Sequence, residues 1–428
     1  MAHRYALRKR PREAPPLGLA PRTRLPPTIA VPVLEVPLLV QLVAGNPVTS
    51  AAVLLCLNTI DATVLRRAHP ALLRTVADVP WCDTAAAIHD VRRWRGALPS
   101  AVGARVAPQL RSLNNPALLA GLTWLDARQC GAITNAVVKR LPSTLRHLVV
   151  QKCRSLTLDA SFTHLPLLTS LDCSYTAALE DGGLWCLPPS LQELRIDYGR
   201  ICKQSLRPSD FLRLPALRVL SWKSGQVGNV DLSTPPPSLE ELDVTDNRAA
   251  AAALPLTHLP RLRIVRAGGT SVTDATVAAL PACVEELVVW GCHELTPGVS
   301  FAHLTALRTL NAADSSIGDA SLASLPPSLV SLDVSYCKWL SPAATLPSLP
   351  ALQVLGVRNT RIGNAFVASL PPSLLTLRIA DCAKVTPAAH IRHLVALREL
   401  QSAGTAGLAR SAVATLRVRA SRRQSRRC

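Results

Sequence analysis

Residues 307–337 read LRTLNAADSSIGDASLASLPPSLVSLDVSYC, and the hexad Leu307-x-x-Leu310-x-Ala312 returns near the far end as Leu329-x-x-Leu332-x-Val334. Followed outward in both directions, a hexad of the form Leu-x-x-Leu-x-Val (or Ala, Ile), with single-residue departures in some units, recurs thirteen times. Its first residues are Leu122, Leu145, Leu168, Leu191, Leu217, Leu239, Leu262, Val284, Leu307, Leu329, Leu352, Leu374 and Leu397. The step is 22 or 23 residues throughout, except for 26 between Leu191 and Leu217. A fixed period of this length is the mark of a stacked repeat rather than of a globular domain with one closed core. Two leucines three apart with a β-branched residue two further on suit a short strand entered by a turn, apolar positions inward and the alternate ones outward. The rest of each unit must carry the chain back beside its own start, so successive strands are parallel. Thirteen such strands make a sheet about 60 Å long.

Counting each unit from the first residue of its hexad, position nine closes the turn after the strand. It is Cys130, Cys153, Thr176, Asn247, Thr270, Cys292, Ser315, Cys337, Thr360, Cys382 and Thr405, with Gly199 and Gly225 as exceptions. Small polar or thiol side chains here are expected to satisfy backbone groups of the turn. The units also alternate. One type continues Cys-x-x-Leu-Thr-Pro and then x-His-Leu, as in Cys292–Leu304, and the other continues Ile-Gly-Asp-Ala-x-Leu-x-x-Leu-Pro-Pro-Ser-Leu, as in Ile317–Leu329. In the second type Asp274 and Asp319 are expected to cap a single helical turn on the convex side. Pro-Pro then stops that turn.

These signatures resemble the cysteine-containing subclass of leucine-rich repeats over residues 98–416. The resemblance implies an α/β solenoid: a leucine-rich-repeat horseshoe of about 13 repeats of 22–23 residues with its parallel sheet on the concave face. The subclass is frequent in F-box substrate receptors, and residues 28–97 can be read in that light. Helix starts at Asn46-Pro47-Val48-Thr49-Ser50, at Asp61 and at Pro70 give a small helical cap, closed by Val79-Pro80-Trp81. Pro47, Val53-Leu54-Leu55, Leu57, Asp61, Val64-Leu65-Arg66-Arg67 and Trp81 follow the order of an F-box. Asn46 stands where that family has leucine, and no acidic pair follows Pro47. The segment is therefore either an adaptor-docking F-box over residues 46–81, which would make the chain a subunit of a cullin-type ubiquitin ligase, or only the cap that a solenoid's first apolar face needs.

The net charge of +19 is concentrated in the tails. Residues 1–24 sum to +6 and residues 410–428 to +7, leaving +6 for the 385 residues between. Residues 1–27 read as a disordered, Pro-rich basic arm and residues 417–428 as a basic tail. Thr28–Ala44 is apolar but holds Pro32, Glu35, Pro37 and Gln41 and is short for a membrane span, so a membrane anchor is not expected. Several of the 12 cysteines recur at one repeat position, too far apart to pair, and there is no Asn-x-Ser/Thr sequon. Both point to a reducing intracellular compartment, cytoplasmic or nuclear. His164, His258, His303 and His393 each precede a repeat leucine and read as structural. Without ligand-spaced Cys or His and without a nucleotide-binding loop or nucleophile elbow, neither metal, nor cofactor, nor enzymatic activity is expected.

The informative surface is the outward side of the sheet, positions three, five and seven. It carries nine acids and six bases, a balance that argues against nucleic acid lying along it and for a protein partner on the concave face. The repeat becomes irregular in its middle. The return segment Arg200–Asp210 is longer than its equivalents, Gly199 and Gly225 replace the polar turn residue, and Trp222 takes a place usually held by Val or Ala. Irregularity within a repeat that folds without it is where function is sought. Glu193, Arg195, Asp197, Tyr198, Lys223, Glu241, Asp243, Arg266 and Trp290 converge there as the candidate partner-binding site.

Overall fold

The structure is a computed structural model that describes residues 54–405 and 408, except for 55, 71, 84, 114, 158, 178–182, 199–210, 225–234 and 248–255. Gly199, Gly225, the long return segment Arg200–Asp210, the apolar stretch Thr28–Ala44, the first helix start at Asn46 and both basic tails lie outside the described residues.

The described residues form one parallel sheet of fifteen strands paired strictly in chain order. The strands are β1 (Ala87–Ile88), β2 (Gly103–Val106), β3 (Trp124–Asp126), β4 (His147–Val149), β5 (Ser170–Asp172), β6 (Glu193–Arg195), β7 (Val219–Ser221) and β8 (Glu241–Asp243). They continue as β9 (Ile264–Arg266), β10 (Glu286–Val288), β11 (Thr309–Asn311), β12 (Ser331–Asp333), β13 (Val354–Gly356), β14 (Thr376–Arg378) and β15 (Glu399–Gln401). Every hexad starts a strand at its third residue. The sheet also begins two strands earlier than the leucine register, and β1 falls in the stretch read as helical. The cause is visible in β2, where Ala104 pairs with Leu125 and Arg105 with Asp126. Ala101, Ala104 and Val106 occupy the inward positions, so the unit is a small-residue version of the hexad and carries no leucine to reveal it.

Position four of each hexad forms the spine. Leu125, Leu148, Leu171, Leu194, Leu220, Leu242, Val265, Leu287, Leu310, Leu332, Leu355 and Leu377 are all buried. The chain's four phenylalanines, Phe162, Phe211, Phe301 and Phe366, are buried in the return segments. Trp222 is likewise inside, with no hydrogen-bond partner for its indole N–H among the described residues.

The turn after each strand repeats with two devices. Position eight adopts the left-handed backbone region, as at Gln129, Lys152, Tyr175, Tyr198, Ser224, Asp246, Gly269, Gly291, Asp314, Tyr336, Asn359, Asp381 and Gly404. Its N–H then reaches across to the next unit, as Tyr336 N–H does to the Arg358 carbonyl at 2.7 Å. Position nine points inward and feeds a carbonyl at position six. Thr270, Ser315 and Thr360 donate to the carbonyls of Ala267, Ala312 and Val357 in their own units. The cysteine one unit on donates to the same carbonyl: Cys292 to Ala267 at 3.2 Å, Cys337 to Ala312 at 3.1 Å and Cys382 to Val357 at 3.0 Å. Alternation of hydroxyl and thiol therefore gives one turn carbonyl two side-chain donors, from neighbouring units.

Burial pushes the thiol of Cys153 up to about 12 and that of Cys337 up to about 11. Their raised values stabilise the fold fully below the ordinary thiol range, and this contribution is lost as pH rises through it, because the unfolded chain ionises first. The expected result is a melting temperature that falls steeply from about pH 9 towards pH 11, and falls less in a Cys153→Thr/Cys337→Thr variant. An identical alkaline slope in both proteins would refute a thiol origin.

On the convex side, short helices occupy Asn135–Val138, Asp274–Ala278, Asp319–Ala323 and Asn364–Ala368, all in the Ile-Gly-Asp type of unit or its equivalent. Asp274 and Asp319 are the first helical residues, not the caps; the caps are Thr273 and Gly318. Their carboxylates turn instead to the following unit. Asp274 accepts from the backbone N–H and hydroxyl of Thr296 at 2.9 and 2.5 Å, and Asp319 from those of Ser341 at the same distances. Asn135 with Thr157 and Asn364 with Thr386 make the same clip with an amide. An acid or amide in one type of unit and a hydroxyl in the other explains why the two types alternate.

The cap contains α1 (Thr59–Ala68), α2 (Leu72–Asp78) and α3 (Val91–Ala97). Asn58, rather than Asp61, caps α1, accepting from the N–H groups of Ile60 and Asp61. Asp83 holds the same end from outside through the N–H and hydroxyl of Thr59. Trp81 is buried and donates to the Val76 carbonyl. Its own carbonyl takes the N–H groups of Val102 and Gly103, which joins cap to sheet. A Cβ on Gly103 would lie 2.2 Å from the Cys82 carbonyl oxygen, so only glycine allows this junction.

Candidate functional site: the concave face and its turn edge

Seven of the nine candidate residues sit within one run of charge across β6–β10. Glu193 binds Arg195 at 2.7 Å and also accepts from Ser170. Asp197 accepts from the Ser221 hydroxyl at 2.7 Å and from the Lys223 N–H at 3.0 Å. Lys223 binds Asp243 at 2.9 Å. Arg266 bridges Glu241 at 2.5 Å and Glu286 at 2.7 Å, with Asp243 at 4.0 Å. Burial pulls the Lys223 ammonium down, but the hydrogen bond and charge of Asp243, with Asp197, outweigh it and leave the value raised. Arg195 and Arg266 follow the same logic, burial being outweighed by Glu193 in the first case and by Glu286 and Glu241 in the second. Each cation here is already neutralised within the chain, and the result is a rigid polar surface with its charges oriented in advance.

Two residues expected to face outward do so only in part. Asp243 is 2% exposed, lying beneath Lys223 and Arg266 as their support. Trp290 is half-buried. Its ring covers the preceding unit, where a Cβ on Gly268 would lie 2.2 Å from the indole nitrogen. The Gly268-Gly269 pair is therefore the bed of an aromatic side chain, and alternation along the strand could not show it, because the neighbour it depends on is a unit away. Trp124, by contrast, is exposed, against the His147 ring at 5.7 Å.

The turn edge carries a feature the sheet positions do not. Of the chain's four tyrosines, Tyr175, Tyr198 and Tyr336 all stand at position eight in left-handed backbone. They are 41, 46 and 47% exposed. Left-handed backbone disfavours a bulky side chain; Asp314 and Asn359 hold it in the units flanking Tyr336, and Lys152 and Ser224 in those flanking the Tyr175–Tyr198 pair. Strain kept at exposed aromatics points to use. Tyr175 and Tyr198 stack at 4.5 Å with planes 10° apart, and the Lys152 ammonium sits 4.7 Å over the Tyr175 ring. Tyr198 was legible in the sequence as a turn residue; Tyr175 was not, since only stacking of adjacent units brings the two rings together.

Other sequence candidates resolve as structural. His258 has its Nε2 3.3 Å from the Pro235 carbonyl, while His164, His303 and His393 have buried Nε2 atoms. No three His, Cys, Asp or Glu side chains come together as a metal site among the described residues. No helix among them is long and apolar enough to cross a membrane.

A scan against protein-family models and a search of curated proteins find no match for this chain. Solved structures do match in fold. A leucine-rich-repeat protein of Leptospira interrogans is similar with a TM-score of 0.53 and 16% identity, over 80% of this chain and 95% of its own. A chain of the Drosophila Toll–Spatzle complex is similar with a TM-score of 0.52 and 18% identity over 74% of this chain. The match spans 45% of the Drosophila chain's length. The class defined by fold and turn chemistry together is a leucine-rich-repeat solenoid. Within it, the inward cysteines at position nine mark a cysteine-containing form.

Proposed function

We propose that this chain is a non-catalytic, intracellular, protein-binding leucine-rich-repeat subunit that selects the substrate of an SCF-type ubiquitin ligase. The observation that carries the ligase part is in the cap. Ile60, Val64 and Leu73 are 51, 62 and 40% exposed, whereas Ala62, Leu72 and Val76 of the same two helices are buried. Ile60 and Val64 lie one turn apart on α1 and so share a face. Large apolar residues left open on a helix pair that has already capped the sheet suit the docking of an adaptor, and the solenoid is then free to hold a second protein. The Drosophila neighbour was solved as a complex with Spatzle, which supports reading the solenoid as protein-binding. In this reading the target lies on the concave face over β6–β10. Glu193, Arg195, Asp197, Tyr198, Lys223, Glu241 and Arg266 form its contact surface, and Asp243 and Trp290 hold that surface in shape. A second reading, a plain scaffold without a ligase link, has its own support: Trp81, which closes the F-box-like order, is spent inside the cap on the Val76 carbonyl.

The two parts separate experimentally. Full-length protein is expected to retain the purified cullin-ligase adaptor, and Ile60→Asp with Val64→Asp to lose it while keeping the wild-type melting temperature. Arg195→Ala with Tyr198→Ala is expected to keep the adaptor and to weaken the substrate by about 2 kcal/mol, the size of an interface hot spot. If wild-type protein fails to retain the adaptor, the ligase link falls and the scaffold reading stands.

A further inference from the structure

The charges of this solenoid are shared unevenly. Along the concave centre over β6–β10 they are paired, as described, and two arginines of the edge before the strands are paired as well, Arg218 with Glu240 at 2.7 Å and Arg263 with Glu285 at 2.5 Å. The turn edge of the C-terminal units differs. There Lys338, Arg361 and Lys384, on three successive units, line an open cavity of about 650 Å³ together with Tyr336. All three cations are exposed, and among the described residues none has an ion-pair partner. Strand spacing sets them roughly 5 Å apart per unit along the solenoid. Tyr336 lines the same cavity, in left-handed backbone, bonded through its N–H to the Arg358 carbonyl. Asp314 and Asp381 stand on the same cavity wall.

We propose that this edge, over β12–β14, is a second binding site that takes an acidic segment of a protein partner. Free cations at regular spacing attract carboxylates at the matching spacing of an extended chain. Their pairing is worth more here than on the concave face, where an incoming carboxylate must displace an internal one. Tyr336 supplies the flat, rigid contact that fixes such a segment against the wall. The two aspartates select against a continuous phosphodiester backbone, which cannot skip a charge, and tolerate a peptide, which can. The inference rests on the solenoid being a protein-binding module, but on neither the cap nor the β6–β10 surface.

The test is fluorescence anisotropy with full-length protein and a labelled twelve-residue peptide rich in Asp and Glu, with a single-stranded oligonucleotide as the competing ligand. Lys338→Glu with Arg361→Glu and Lys384→Glu is expected to weaken the peptide at least tenfold. Arg74→Glu with Arg92→Glu and Arg93→Glu, exposed in the cap and equal in charge change, should leave affinity within twofold. Tyr336→Asn, which suits left-handed backbone, is expected to weaken the peptide about fivefold with an unchanged or higher melting temperature. Equal losses in the two charge-reversed proteins would make the effect one of net charge and overturn the site. So would an oligonucleotide bound in preference to the peptide at this edge. Loss of concave-face binding in Arg195→Ala with Tyr198→Ala, without loss of the peptide, tells failure of one site from failure of the other.

Discussion

Replacing Cys337 by arginine is expected to unravel the solenoid from its C-terminal half, with a loss of roughly 3–5 kcal/mol. Cys337 is fully buried, donates to the Ala312 carbonyl and touches Ser315 at 3.9 Å on the unit before it. Arginine at this place forces a bulky guanidinium into a fully buried turn, at a desolvation cost that the Asp333 and Asp314 carboxylates nearby do not offset, and removes a donor that Ala312 shares with Ser315. In a stacked array each unit is held by its neighbours, so the damage spreads outward from β12 rather than distributing over the whole chain. Hydrogen exchange should show it: turn amides between β11 and β13 lose protection first, and a new early transition precedes the main melt. Cys337→Thr should behave almost as wild type, because Thr405 at the equivalent position reaches back to the Ile379 carbonyl as a cysteine does. An arginine variant with the wild-type melt would contradict the inward assignment of position nine.

The second large effect is expected at Arg95, which sequence reading passes over entirely. Its side chain stitches the cap to the first repeats by donating to four backbone carbonyls. Nε reaches Leu118 at 2.7 Å, Nη1 reaches Pro99 and Ala101 at 3.0 Å each, and Nη2 reaches Ala120 at 3.0 Å. The guanidinium also lies 4.8 Å over the Trp94 ring. Burial lowers its pKa, a cost that the four carbonyls offset. Arg95→Ala leaves those acceptors open together and is expected to cost about 3 kcal/mol, since hydrogen bonds to a charged group exceed neutral ones and the four are not additive. Lysine keeps the charge but not the fork, so Arg95→Lys should recover only a minor part. Limited proteolysis is the direct readout: cleavage between residues 97 and 120 should accelerate in the alanine variant while the units after β5 stay protected. Unchanged cleavage would mean that the Trp81 and Gly103 junction alone holds the cap.

Cys337 was found in the sequence because it repeats, and Arg95 was missed because it does not. Among 47 lysines and arginines, nothing local distinguishes a side chain that meets four carbonyls belonging to other elements. Asp274 and Asp319 stand between these cases. Their recurrence was plain, but a nearest-neighbour rule for helix ends assigned them as caps. The stacked unit offered Thr296 and Ser341 hydroxyls and amides, and the carboxylates went there.

By itself, then, the sequence determined what depends on period: the parallel sheet, the inward leucine spine, the small donor at position nine and the two alternating unit types. A solenoid makes this legible because each unit meets only its neighbours, so one unit's pattern implies its environment. Only the tertiary structure decided what depends on side chains meeting across units. The leucine-free strands were recruited in turn, β2 by pairing with β3 and β1 by pairing with β2. Asp243 was taken inside by Lys223 and Arg266. Trp290 was laid on Gly268, and Tyr175 was brought against Tyr198. In each case the deciding partner sits about one repeat away in sequence and one strand away in space. Residue type and spacing name the candidates there, and packing distance alone settles which of them touch.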